Sequence, residues 1–181
     1  VLMIGAHPDD EDSSLLAVLA RGMGVETAYL SLTRGDGGQN IIGPELGEGL
    51  GIIRTGELEA ARALDGARQF FTRAFDYGFS KSADEAFAHW PKEQVLADVV
   101  AVIRTYRPQV IISVWAGTPR DGHGQHQASG ILANEAFEAA ADPGRFRDLP
   151  GLAAEPWGVS KLYHSARFRG PGSGADGLTV Q

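Results

Sequence analysis

The stretch VLMIGAHPDDED sets His7 and Pro8 ahead of four consecutive carboxylates, Asp9, Asp10, Glu11 and Asp12. Such neighbours repel one another, so the turn is either a solvated helix start or the seat of a cation. The same residue types gather again more than one hundred residues later, in TPRDGHGQHQ, where His123 and His126 keep the three-residue spacing that separates His7 from Asp10. Side chains three apart reach one face where a turn winds into a helix. Together the two stretches offer three imidazoles and a carboxylate with no thiol. That set suits zinc, and a catalytic zinc commonly takes three protein ligands and keeps one position open for water. Iron or cobalt fits the same ligands. Adjacent Asp9 and Asp10, if helical, point about 100° apart, so one can ligate while the other faces the water. Asp12, at the start of a helical pattern, reads as a cap.

These groups act together only if the fold brings the two stretches into contact. VLMIGA is an apolar run suited to a strand buried on both faces, and residues 12–20 read as a helix with Gly22 beyond its end. VETAYLSLT gives a second strand, followed by a long Gly-rich loop, RGDGGQNIIGPELGEGLG, whose first part reads as a pocket rim. The pattern predicts a helix over residues 54–65, with Leu58, Ala61 and Leu64 on one face and Gly66 as its stop. ARQFF is a third strand, and residues 76–90 show no clean period and read as an irregular insertion. Pro91 suits a first helical position, and the helix runs on to Arg107-Pro108. QVIISVWAG is the fourth strand, TPRDGHG a loop, residues 126–141 a helix and KLYHSA a last strand. Strands alternating with helices predict an α/β, Rossmann-like three-layer sandwich with a mostly parallel sheet. With strand order near 3-2-1-4-5, the first and fourth strands are neighbours at the switch point, where ligands bind beyond the carboxyl ends. The two loops then meet there.

Composition narrows the partners. With 23 acidic against 16 basic residues the net charge is −7, which leaves no cationic surplus for nucleic acid. No apolar run approaches the ~18 residues of a membrane span, no leader pattern is present, and the chain reads as soluble. Cysteine is absent, so a metal must use His and carboxylate. The 181 residues read as one domain over 1–169, with 170–181 a Gly-rich tail opening a C-terminal extension whose LTVQ resembles a strand start. The chain opens inside a strand pattern, as a fragment would. Compartment (cytoplasmic, or secreted with a leader outside this stretch) and oligomeric state have no signature here.

Read in order, AHPDDE, LTRGDGG, RTGELEAARALDG, RPQVIIS and HGQH resemble the PIG-L/LmbE family of zinc-dependent N-acetylglucosaminyl deacetylases, over Val1 to about Ala140. FTRAFDYGFSKS and DGHGQHQASG are most similar to its long, multidomain bacterial members. The resemblance implies that His7, Asp10 and His126 hold the metal, that Asp9 is the general base and that His123 stabilises the oxyanion. It further implies that Arg54 contacts a small amino-sugar substrate. Asp36 and Asp121 are expected on the substrate side. One position departs from the family pattern: the acidic residue usual before the last ligand histidine is Gln125. A carboxylate there would favour imidazolium at His123. With neutral Gln125, either Asp121 takes over that task or His123 works with a lower pKa.

Other readings of the residues stand beside this one. A dinucleotide-binding turn should be Gly-rich, and AHPDDED would repel a pyrophosphate. A phosphoesterase would use two ions, with Glu11 and Asp12 as extra ligands. A non-catalytic sugar-binding domain would keep the pocket and lose the chemistry, which Gln125 would permit. His164 reads as a structural histidine, and Trp115 either lines the site or packs beneath it.

Overall fold

The computed structural model describes residues 1–166 and 178–180. Its central strand, β1 (Leu2–Gly5), is buried at all four positions, as the continuous apolar run requires of a strand covered on both faces. It pairs in parallel with β2 (Ala28–Ser31) on one side and β4 (Val110–Ser113) on the other; β3 (Arg68–Phe71) and β5 (Lys161–Ser165) extend the sheet outward. The expected order 3-2-1-4-5 holds, and β6 (Leu178–Val180) adds an antiparallel strand beside β5. Residues 178–180, within the LTVQ stretch expected to start a strand, are that strand. The remainder of the 170–181 tail, and the boundary expected at residue 169, lie outside the described residues.

Side-chain alternation along the strands sorts the core into two layers. Leu2, Ile4, Leu30 and Ile111 face α4 (Lys92–Tyr106) and α5 (Gly124–Ala141), meeting Val95, Val99, Ile103, Leu132 and Ala136. Met3, Tyr29 and Ile112 face the other way, onto Leu16 of α1 (Ser13–Ala17) and Leu58 of α2 (Glu48–Asp65). Each fully buried aliphatic side chain contributes roughly 1.5–3 kcal/mol. Among the described residues, no helix is long and apolar enough to cross a membrane.

Several elements differ from the sequence pattern. The first helix gives way at Val18 to a π-turn that runs to Gly22, closed by Met23 N–H donating to Val18 O at 2.9 Å, so Gly22 lies within the helical segment. Helix α2 begins at Glu48, six residues before the expected start at residue 54. Glycines disfavour that first turn locally; Gly51 is buried there against the Asp36 carboxylate, which a Cβ would displace. Its buried stripe is Leu58, Arg62 and Asp65, at i, i+4 and i+7, whereas Leu64 is 83% exposed. Part of the expected irregular insertion is α3 (Ala83–His89), capped by the Ser82 hydroxyl accepting from Glu85 N–H at 3.3 Å. Pro91 caps α4 rather than opening it, a 3-10 turn occupies Pro119–Asp121, and α5 starts two residues early at Gly124.

One buried cation ties the far end of the molecule together. Arg104 is fully buried and donates to the carbonyls of Ala139, Ala140, Asp142, Arg145, Phe146 and Ala153 at 2.9–3.2 Å. These include the last carbonyls of α5, where the helix dipole also favours positive charge.

Candidate active site

Because β1 and β4 are adjacent, the turn after β1 and the loop between β4 and α5 meet at the carboxyl edge of the sheet, where the strand order reverses. Tyr29 Oη donates to His7 O at 2.6 Å and fixes the turn from below; Gly5 leaves room for both Tyr29 and Asp10. Asp10 is 5% exposed. Its Oδ2 accepts from Ala6 N–H, His7 N–H and Trp115 Nε1–H at 2.7, 2.9 and 2.8 Å, which saturates that oxygen. Oδ1 faces His126 Nε2 at 3.5 Å.

Both facing imidazoles are oriented from behind. Gln125, fully buried, donates from Nε2 to Asp76 Oδ1 and Gly78 O at 3.1 and 2.8 Å, and two acceptors on one side settle which end of the amide is oxygen. Its Oε1 therefore accepts from His7 Nε2–H at 3.0 Å, which leaves His7 Nδ1 as the lone-pair nitrogen. His126 stacks on Trp115 at 3.7 Å with an 8° interplanar angle, and its Nδ1 lies 3.3 Å from Asp121 O. Donation there leaves Nε2 unprotonated. The two lone pairs then face each other at 3.2 Å. Ligand atoms of His7, Asp10 and His126 all lie within 4.8 Å of one another, a convergence of two imidazole nitrogens and a carboxylate oxygen that fits a divalent cation.

Titration follows the same contacts. Burial opposes a charge on His7, but the Asp10 carboxylate, with Asp76 and the Gln125 carbonyl, lifts the ring above its ordinary value. Burial likewise pushes Asp10 up; His7, His126 and the Trp115 N–H overcome it and hold the carboxyl below the usual range. His126 is lowered by burial and by His7, against the pull of Asp10. His123 is pushed down to about 4, by burial first and then by the two neighbouring rings. Its Nδ1 accepts from Gln125 N–H at 3.1 Å, so the neutral ring carries its proton on Nε2. The lower-pKa alternative for His123 is the one this geometry favours. Gln125 meets His123 through its backbone and turns its side chain to His7.

The remaining predicted residues divide. Asp9 and Arg54 line the same cleft, paired at 3.3 Å. Asp36 and Asp121 do not line it. Asp36 lies under α2 against Gly51 and accepts from Asp76 N–H at 3.4 Å; Asp121 accepts from Ala116, Gly117 and Thr118 N–H and reaches the site through its carbonyl alone. Neither Glu11 nor Asp12 is placed for a second ion. Glu11 is buried against Arg62 at 3.2 Å, and Asp12 Oδ1 caps α1 by accepting from Leu15 N–H at 3.0 Å. His164 is buried on Asn134 Oδ1 at 3.1 Å, away from the cleft. Trp115 both lines the site and fixes two of its groups. Asp76 and Gln125 had no sequence signal for their joint role, which depends on the chain at residues 76–80 packing against α5. The cleft itself measures about 1090 Å³.

The chain has relatives among known proteins. It is 33% identical to a 1D-myo-inositol 2-acetamido-2-deoxy-alpha-D-glucopyranoside deacetylase of Thermobispora bispora, over 93% of this chain and 59% of that protein. Identity reaches 35% with a protein of the same description from Geodermatophilus obscurus, over 90% and 60%. The chain thus spans about three fifths of the length of these relatives. In fold it resembles N,N'-diacetylchitobiose deacetylase from Pyrococcus horikoshii, with a TM-score of 0.72 at 21% identity over 90% of this chain and 58% of that one. A hydratase, GalB of Pseudomonas putida, shares the fold nearly as well, with a TM-score of 0.67 at 22% identity over 91% and 64%, so architecture alone does not fix the reaction. The family model described as GlcNAc-PI de-N-acetylase matches residues 2–137, a span that contains both loops of the site, and the chain belongs to this family, PIG-L.

Proposed function

We propose that the chain is a metal-dependent hydrolase that removes the N-acetyl group from an N-acetylglucosamine-type conjugate, with zinc as the preferred ion on His7, Asp10 and His126. The observation that carries this reading is the convergence of His7 Nδ1, His126 Nε2 and the Asp10 carboxylate, with the two ring nitrogens 3.2 Å apart and Asp10 Oδ1 3.5 Å from His126 Nε2. An ion bound there supplies Lewis acidity toward an amide carbonyl and toward water. Asp9, 70% exposed at its side chain and on the cleft wall, takes the proton of the attacking water; Arg54 holds it in place. His123 Nε2–H, on the same wall, donates to the oxygen that gains charge as the carbonyl becomes tetrahedral. Protonated Asp9 returns its proton to the departing amine. A neutral His123 serves this role at neutral pH as a hydrogen-bond donor.

The ion-paired Glu11 and capping Asp12 weigh against a two-ion phosphoesterase. The test is release of a primary amine and acetate from N-acetylglucosamine glycosides by the metal-loaded protein. Release that disappears with chelation and returns with the ion supports the reading, and metal-loaded protein that releases neither product refutes it.

A further inference from the structure

The cleft has a second wall made of quite different residues. Between β2 and α2, Ile41 and Ile42 stand 93% and 87% exposed; Phe79 is 72% exposed, and Ile53 of α2 is 40% exposed. All four line the same 1090 Å³ cleft as His7, Asp10 and His126. Single exposed apolar side chains are ordinary, but four that line one cleft together with a reaction site mark a binding surface. The loop is built to present them: Asn40 Oδ1 accepts from Ile42 and Gly43 N–H at 3.0 Å each, and its Nδ2 donates to Glu45 O at 3.1 Å.

Two further observations select the occupant. Drug-sized ligands occupy clefts of roughly 300–1,000 Å³, so a single sugar ring leaves much of this one to be filled by whatever the sugar carries. The charged lining is Asp9, Asp10, Glu45, Glu57 and Asp76 against Arg54, and Arg54 is already paired with Asp9. Even with a divalent ion bound, that lining repels a phosphate. We infer that Ile41, Ile42, Ile53 and Phe79 form an aglycone subsite that accepts an uncharged, apolar group attached to the amino sugar. The inference rests on the deacetylase reading and specifies its substrate.

The experiment compares methyl and hexyl glycosides of N-acetylglucosamine, and the sugar 1-phosphate, on the metal-loaded chain below any micelle concentration. Amine release gives kcat/KM, and calorimetry on metal-loaded Asp9→Asn gives binding without turnover. The hexyl glycoside is expected to exceed the methyl by roughly 10–100-fold in both, from burial of its added methylenes, and the 1-phosphate to fall below both. In Ile41→Ser/Ile42→Ser, and separately in Phe79→Ser, the hexyl-to-methyl ratio should collapse toward unity; these side chains are exposed, so folding is not at stake. A ratio near one in the unaltered chain, a ratio the variants leave intact, or preference for the 1-phosphate would overturn the inference. So would a dimer that dissociates in Ile41→Ser/Ile42→Ser while the two glycosides bind equally, since the wall would then belong to a second copy. If no glycoside is hydrolysed, the deacetylase reading fails, and the binding ratio still decides the subsite.

Discussion

Replacing Gln125 by alanine should weaken metal binding without touching a ligand. The variant removes the acceptor of His7 Nε2–H, a 3.0 Å hydrogen bond between residues that are 7% and 0% exposed. Leaving that buried donor unpaired costs about 1–3 kcal/mol, and the ring is freed to place its proton on Nδ1, where the ion must bind. Loss of such an outer partner typically lowers metal affinity 10–100-fold, or about 1.4–2.8 kcal/mol. Gln125→Glu is the sharper case. A carboxylate on His7 ordinarily strengthens the ligand, but here its second oxygen would stand where the amide donates to Asp76 Oδ1 and Gly78 O. Affinity should therefore fall in Gln125→Glu and recover in Gln125→Glu/Asp76→Asn, where the new amide can donate to the carboxylate. Chelator competition at slightly alkaline pH measures all four proteins. Unchanged affinity in Gln125→Ala, or tighter binding in Gln125→Glu alone, would refute the assigned orientation of His7.

Asp9→Asn should lower amine release by roughly 10²–10⁴-fold while the metal content stays the same; loss of the ion as well would make Asp9 a ligand. In the metal-free protein the His123 pKa is about 4 when folded against an ordinary 6.5. The unfolded chain binds more protons between those values, so this contribution to stability is complete above 6.5 and is lost as pH falls toward 4. His7, lifted above its ordinary value, acts in the opposite sense, its contribution being lost as pH rises through its folded pKa. Denaturant titrations across that window should show a shallower acid loss in His123→Asn, and an unchanged pH slope would contradict the assignment. Arg104→Met should destabilise the fold by about 3 kcal/mol or more, because several buried carbonyls lose their donor; a melting temperature within a degree or two of the original would show that water replaces it.

What the sequence revealed follows from how each signal is encoded. Strands buried on both faces read as unbroken apolar runs, so β1, β2 and β4 stood out, and strand–helix alternation then implied the order that brings His7, Asp10 and His126 together. Helix α2 was legible only in part, since its buried stripe carries Arg62 and Asp65 where apolar residues are expected. Seven-residue α3 buries Ala86 alone, too little for a period to show. Carboxylates that serve the backbone look the same in sequence as carboxylates that serve a substrate, which is why Asp36 and Asp121 were expected in the cleft and lie outside it. The role of Gln125 was hidden for a different reason. Its side chain answers to Asp76 and Gly78, nearly fifty residues away, and no local pattern points to them.

Whether the two loops hold one ion is decided by elemental analysis of the purified, reconstituted chain beside His126→Ala. About one zinc per chain is expected, lost in the variant. Two ions per chain would favour the phosphoesterase instead, and none after reconstitution would contradict the metal site and every catalytic role built on it.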